Sequence, residues 1–169
     1  MKERDPVLRR PAVAGRFYSA DPDRLRQEVA RYVVGSGKEE AIGILSPHAG
    51  LMYSGHVAGA VYSSILSPET YILVGPNHTG LGAPVSLMSS GAWEMPMGSF
   101  AVDGELGRMI LQEVPFAAED LSAHLYEHSL EVQLPFIGYF SPSAKILPLT
   151  IMTASLEECR ELGAGIARA

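Results

Sequence analysis

The sequence predicts an α/β fold with a central, mostly parallel or mixed sheet flanked by helices. Short apolar runs of strand length recur along the chain, at residues 41–46, 70–75 and 145–151. The residues between the first two runs show helical spacing, so strand, helix and strand alternate. This alternation favours parallel pairing, because a parallel pair needs a long crossover connection between its strands. The chain has 169 residues, the length of one domain, which we expect to span residues 1–169.

The first half of the chain is predicted to contain two helices and three strands. Asp21 can cap a helix that starts at Pro22, and Gly35 and Gly37 are expected to end it. The run at 41–46 is predicted to be a strand that is buried on both faces, because it is continuously apolar. The other predicted elements of this half are a helix and two strands, at residues 56–66, 70–75 and 84–88.

The second half is predicted to begin with a hairpin or covering loop at residues 89–100. A helix is expected over residues 103–114, and the start of a further helix at 117–121. Ser155 should open the last helix, because Glu158 lies three residues later and completes a capping box. The remaining predicted elements are a helix and a strand, at residues 129–136 and 145–151.

Composition and charge exclude several classes of protein. The net charge is −6, which disfavours general nucleic-acid binding, because such binders need dense Lys and Arg against phosphates. We expect no signal peptide and no membrane-spanning segment, and the one cysteine suits a reducing compartment. These features predict a cytoplasmic protein with neither a nucleic-acid nor a membrane partner. The basic residues cluster near the N-terminus and are expected to be solvated: Lys2, Arg4, Arg9, Arg10 and Arg16.

Two histidines share a setting that indicates a binding site. His48 follows the apolar run at 41–46 and His78 follows the run at 70–75, each within a turn rich in proline and glycine. Ligands of open α/β sheets bind outside the carboxyl ends of the strands, so neighbouring parallel strands would bring both imidazoles to one rim. Imidazole suits a divalent transition metal. Each histidine alone is explained by a polar turn, but their matching positions favour a shared metal site.

Glu127 and His128 form a further candidate pair at the start of the helix predicted at 129–136. A helix N-terminus weakly lowers the pKa of a histidine, so His128 would be neutral and able to act as a base or a ligand. A plainer interpretation of Glu127 is a carboxylate that accepts hydrogen bonds from the free backbone N–H groups of the first turn. The two remaining histidines are interpreted as surface or capping residues, His56 and His124.

Four separated segments together resemble one protein family. They are RRPAVAGRFY at 9–18, SPHAGLMYSG at 46–55, GPNHTG at 75–80 and EHSLEVQLPF at 127–136. This set resembles the Memo family, also called AmmeMemoRadiSam system protein B, and occurs in that family's order. The resemblance implies a fold similar to that of the LigB-type class III extradiol dioxygenases, which bind non-haem iron.

The resemblance also implies a metal-site-like pocket. His48 and His78 match its two histidines, and Tyr53, Glu127 and His128 match neighbouring pocket positions. Members of the family continue beyond the last residue of this chain. The resemblance therefore implies a chain truncated at its C-terminus, with the third metal ligand outside it and the site incomplete.

Three functions stay open from the resemblance. The first is a dioxygenase-like, metal-dependent oxidoreductase with Fe(II) or Cu, in which His128 moves a proton and Glu127 and Tyr53 belong to the catalytic set. The second is a non-catalytic module that binds a peptide or a small molecule. The third is a partner of a radical-SAM protein and an AMMECR1-like protein. Homo-oligomerisation is a further expectation, because an unpaired apolar face favours self-association.

Overall fold

The computed structural model describes residues 7–35 and 37–169, and in this part of the chain five α-helices pack around two mixed sheets. The α-helices are α1 (Pro22–Ala30), α2 (Leu51–Ser63), α3 (Gly104–Glu113), α4 (Leu134–Phe140) and α5 (Leu156–Arg168). A 3-10 helix, Glu131–Gln133, leads directly into α4. The strands are β1 (Leu8–Arg9), β2 (Thr70–Pro76), β3 (Val85–Leu87), β4 (Ala92–Met95), β5 (Gly98–Ala101), β6 (Ala118–Glu119) and β7 (Lys145–Ile151).

The larger sheet has the strand order β2-β7-β3-β6. Strands β2 and β7 run parallel over their whole length, whereas β3 is antiparallel to β7 and parallel to β6. The smaller sheet has the order β1-β4-β5, in which β1 is parallel to β4 and the β4–β5 pair is a hairpin. The predicted α/β class with a mixed sheet is therefore confirmed, and so is the hairpin expected at 89–100.

Two predicted helix starts are confirmed by their caps. The Asp21 side chain accepts a hydrogen bond from the Arg24 N–H at 2.8 Å and so caps α1. Ser155 and Glu158 form the predicted capping box, in which each side chain accepts from the other residue's backbone N–H. These caps satisfy N–H groups that the first turn of a helix would otherwise leave unpaired.

The strand predicted at 41–46 is wrong. This run forms no strand, and Leu45 is 93% exposed. Apolar character predicts burial, but a strand also needs a neighbour that pairs with its backbone, and β2 pairs only with β7 among the described residues. The chain is anchored just before the run, where the Glu39 N–H donates to the Ser64 carbonyl and the Glu39 carbonyl accepts from the Leu66 N–H, each at 2.9 Å.

Several predicted elements also differ from the structure, among them the helix predicted at 129–136, which is the 3-10 helix Glu131–Gln133 followed by α4 (Leu134–Phe140). Helix α1 ends at Ala30, well before Gly35, because the chain turns to cross α2. Helix α2 begins at Leu51 and not at residue 56, which puts Tyr53 on a helix and not in a loop. The segment at 117–121 contains strand β6 where a helix start was expected, because its backbone pairs with β3.

Glycines in α2 allow a close crossing with the chain that follows α1. A Cβ atom on Gly59 would lie 2.2 Å from the Tyr32 carbonyl oxygen, and one on Gly55 would lie 2.4 Å from the Tyr32 ring. With backbone this close, any larger residue at position 59 must displace its neighbour. The crossing fixes α2, whose first turn begins three residues after His48.

We expect Gly59→Ala to lower the free energy of unfolding by about 1–3 kcal/mol, because the added methyl group must displace backbone. The matched control is Gly163→Ala in α5, where an added Cβ meets no atom within 4 Å. That control should raise the free energy of unfolding by up to about 1 kcal/mol, since alanine is the better helix former. Urea denaturation of both variants measures these changes in the free energy of unfolding. Equal stabilisation by the two substitutions would contradict the close crossing of α2 with the chain that follows α1.

Candidate metal centre

Three histidines from three different loops converge on one side of the molecule. His48, His78 and His128 each offer a ring nitrogen, and these nitrogens all lie within 4.8 Å of one another. The ring centroids are 4.7 Å apart for His78 and His128, 5.2 Å for His48 and His78, and 5.9 Å for His48 and His128. Three imidazoles in this arrangement could hold a metal ion.

Each histidine is placed by the element beside it. His78 comes two residues after the end of β2, at the carboxyl end of that strand, as the sequence indicates. His48 lies two residues before the N-cap of α2 and follows the run at 41–46, where the predicted strand is absent. His128 precedes the 3-10 helix Glu131–Gln133, and its backbone carbonyl accepts from the Val132 N–H at 3.0 Å.

Glu127 is buried behind the histidines and accepts hydrogen bonds with both carboxylate oxygens. Its Oε1 lies 2.9 Å from the His78 Nδ1 and 2.8 Å from the backbone nitrogens of both His128 and Ser129. Its Oε2 accepts from the His78 backbone N–H. The carboxylate therefore ties two of the three histidine loops together. It also makes the bonds to backbone donors that the plainer interpretation of Glu127 predicts.

Hydrogen bonding keeps Glu127 ionised. Burial by itself would raise the pKa of this carboxyl group, but hydrogen bonds from the His78 ring and from the backbone N–H groups of Ser129 and His78 lower the pKa to about 2. An ionised carboxylate beside His78 favours the tautomer that carries its proton on Nδ1, which leaves the Nε2 lone pair free. Ligating histidines in metalloproteins are oriented in the same way.

His128 is held in its neutral form by its surroundings. Burial lowers its pKa, and the neighbouring His78 and His48 lower it further, while Glu127 acts in the opposite direction. The predicted direction of this shift agrees with the structure, but the main cause is burial and not a helix N-terminus. The Phe17 ring packs on the His128 imidazole at 4.8 Å between centroids.

The structure changes which residues belong to the cluster. The sequence left His128 open as a base or a ligand, favoured proton transfer and put the third metal ligand beyond the chain, whereas the fold brings His128 beside His48 and His78. Tyr53, which the resemblance places among the pocket positions, lies on α2 with 80% of its surface exposed. No spacing rule could have found the set, because its members come from loops separated by 30 and 50 residues.

A buried ion pair lies beneath the Glu127 loop, and sequence reasoning missed it. Arg9 is fully buried, which corrects the expectation that it is solvated. Its guanidinium pairs with the Glu131 carboxylate and also donates to the backbone carbonyls of His124 (3.1 Å) and Glu127 (2.7 Å). Arg10 and Arg16 are exposed as expected, and Lys2 and Arg4 lie outside the described residues. The charge is buried because Glu131 and two carbonyls compensate it.

His124 is buried, which corrects its assignment as a surface or capping residue. Its Nε2 lies 3.2 Å from the Ser86 hydroxyl, and its ring meets the edge of Trp93. Burial, reinforced by the positive charge of Arg9, lowers the pKa of His124 to about 4, although Asp120 and Glu127 act against the shift. The residue is therefore a neutral core histidine at physiological pH.

His124 should make the protein less stable as pH falls from about 6.5 to 4. The unfolded chain takes up a proton on this imidazole near its ordinary pKa of 6.5, whereas the folded protein resists protonation until about pH 4. The unfolded state thus binds more protons in this window, and the loss amounts to about 3 kcal/mol. Denaturant titrations at several pH values should show a smaller slope in His124→Phe. The control His56→Phe, at an exposed histidine, should keep the wild-type slope, and an unchanged slope in His124→Phe would refute the assignment.

The fold and the cluster define an α/β protein with a candidate metal centre built from loop histidines. The chain belongs to the Memo-like protein family, whose model matches residues 9–169. It is 42% identical to MEMO1 family proteins of Methanothermobacter thermautotrophicus and Pyrobaculum aerophilum, in each case over 96% of this chain. It is 47% identical to a MEMO1 family protein of Aquifex aeolicus over 92% of this chain.

The chain is shorter than these relatives. The matched region covers 64%, 62% and 59% of the three proteins in the order given, so the chain spans less than two thirds of their length. Among the described helices, none has both the length and the apolar character needed to cross a membrane.

Proposed function

We propose that this chain binds a transition-metal ion through the imidazoles of His48, His78 and His128. The observation that carries the proposal is the convergence of their ring nitrogens within 4.8 Å. Two further features support it. Glu127 orients the His78 ring through Nδ1, and burial lowers the pKa of His128, which favours the neutral imidazole that a metal binds.

We further propose that the ion is Fe(II) or Cu and that the protein is a dioxygenase-like oxidoreductase. Imidazole ligands suit both metals, and the resemblance to the dioxygenase fold favours iron. Such an ion, when bound, supplies Lewis acidity and redox chemistry to a ligand at its open positions. Glu127, with a pKa of about 2 and both oxygens occupied, is a poor proton acceptor at neutral pH. Its role in this proposal is to orient His78.

Metal analysis of untagged protein tests the proposal. Protein stripped with a chelator and dialysed against Fe(II), under exclusion of oxygen, or against Cu(II) should retain a stoichiometric amount of metal. His48→Ala, His78→Ala and His128→Ala should each lose that retention, because each removes one of three ligands. His56→Ala is the matched control, since His56 is exposed and outside the cluster. Stoichiometric metal in the His78→Ala variant would refute the proposal.

A second candidate function is recognition of a peptide or small molecule without turnover. Two large aromatic side chains near the histidine loops in sequence favour it, since Tyr53 is 80% and Tyr126 is 68% exposed. In this case Tyr53→Ala should weaken binding of a tyrosine-containing peptide in calorimetry, and His78→Ala should not. A complex with a radical-SAM or AMMECR1-like protein is a third proposal, which co-purification of the three proteins would test.

A further inference from the structure

The segment that carries His48 is held to the rest of the molecule by few contacts. Residues 40–48 form neither helix nor strand, and most of their side chains are exposed. Among the described residues, one hydrogen bond joins this segment to another part of the chain: the Gln133 Nε2 donates to the Pro47 carbonyl at 3.0 Å. Within residues 7–35 and 37–169, the rings that the His48 ring contacts are those of His78 and His128. The placement of His48 thus depends on few interactions, one of which comes from Gln133.

The surroundings of Gln133 orient its amide nitrogen toward the Pro47 carbonyl. It lies buried at the end of the 3-10 helix Glu131–Gln133, and its Oε1 faces the Tyr62 hydroxyl at 3.2 Å. Because the phenol donates to Oε1, the amide nitrogen is turned toward the two carbonyls that remain. These belong to Pro47, at 3.0 Å, and Ser129, at 3.4 Å. Tyr62 on α2 therefore fixes the orientation of the glutamine amide.

The Gln133 amide nitrogen connects the backbone beside two of the clustered histidines. Pro47 directly precedes His48, and Ser129 directly follows His128. One amide group thus bridges the backbone beside His48 and the backbone beside His128. The Gln133 side chain is buried and bonds to the backbone beside these histidines and not to their rings.

We infer that Gln133 is a positioning residue, which holds His48 against His78 and His128 through the Pro47 carbonyl. This inference rests on the proposed metal binding, because it predicts an effect on metal affinity that is exerted through one ligand. Gln133→Met keeps the size of the side chain but removes the donor. Without that donor, the segment at 40–48 loses its hydrogen bond to the body of the protein, and His48 spends less time in position to bind.

The test is a double-mutant cycle with cobalt(II) as the probe. Cobalt affinity and the visible spectrum of the bound ion are measured for wild type, Gln133→Met, His48→Ala and the double variant. We expect Gln133→Met to bind cobalt at least about tenfold more weakly, within the range found for groups that orient metal ligands. The spectrum should shift toward that of His48→Ala. The double variant should bind no more weakly than His48→Ala alone, because Gln133 acts through His48.

Control variants separate positioning from general damage to the fold. Gln133→Glu keeps an acceptor for the Tyr62 hydroxyl but lacks the amide donor, so it should weaken cobalt binding as Gln133→Met does. Gln27→Leu, at an exposed glutamine of α1, should leave cobalt binding unchanged. Unfolding curves confirm that each variant is folded at the temperature of the titration.

The outcomes distinguish this inference from the proposed metal binding on which it rests. Unchanged cobalt affinity in folded Gln133→Met, with binding lost in His78→Ala, overturns the positioning role alone. Equal losses from Gln133→Met in the wild-type and His48→Ala backgrounds also overturn it, since the glutamine would then act on the whole site. Failure of wild type to bind cobalt overturns the metal site and the inference together.

Discussion

Replacing Glu131 by glutamine is expected to lower the free energy of unfolding by about 3–5 kcal/mol, because it leaves the Arg9 charge buried without a partner. The carboxylate also accepts from the backbone N–H groups of Ala12 (2.8 Å) and Val13 (3.0 Å) and from the Tyr18 hydroxyl. It therefore fastens the N-terminal segment to the loop that carries Glu127 and His128. Equilibrium denaturation in urea measures the loss.

A second variant shows whether the loss comes from the ion pair. Arg9→Met removes the other charge, so the double variant Arg9→Met/Glu131→Gln should cost less than the sum of the two single changes. Glu69→Gln, at an exposed glutamate, should change stability by no more than about 0.5 kcal/mol. Additive effects of the two core substitutions would show that the pair is not coupled.

Replacing Glu127 by glutamine is expected to weaken metal binding by about 10–100-fold, the range found for groups that orient metal ligands. An amide can present only one acceptor oxygen, whereas Glu127 serves the His78 ring and three backbone N–H groups with two. The amide's NH2 group would face a donor in either orientation: the His78 backbone N–H if the amide oxygen takes the Oε1 position, or the His78 Nδ1 and two backbone N–H groups if it takes the Oε2 position. The carboxylate's hold on the His78 ring and loop would therefore weaken. Titration with cobalt(II) or zinc(II) at neutral pH gives the change in Kd.

The Glu69→Gln variant also serves as the control for this substitution, since it makes the same chemical change outside the site. A Kd for Glu127→Gln within twofold of wild type, together with lost binding in His78→Ala, would contradict the orienting role. The expected loss is smaller than that caused by removing His78, because glutamine leaves all three imidazoles in place.

The regular parts of the fold could be predicted because their signals are local. Strands β2 and β7 are apolar runs that pair along their whole length, and the caps of α1 and α5 are set by residues within one turn. The run at 41–46 carries the same apolar signal, yet it pairs with no strand among the described residues. Hydrophobicity alone predicted a strand there, but a strand forms only where its backbone pairs with a neighbour.

Long-range partners explain what the sequence did not reveal about the site. Arg9 looks like a surface cation, since Glu131, its partner in the core, lies 122 residues away. His124 and His128 are four residues apart, but the segment between them is not helical, so one ring enters the core and the other joins the cluster. The pairing of His48 with His78 was predicted from their matching turns. The addition of His128 required the three-dimensional arrangement.

Anomalous scattering from a cobalt-loaded crystal tests the proposed metal centre most directly. The predicted result is one strong cobalt peak within about 2 Å of a ring nitrogen of each of His48, His78 and His128. Glu127 should remain bonded to the His78 Nδ1 and should not contact the metal. A cobalt ion bound at other residues, with the three imidazoles unligated in the same crystal, would contradict it.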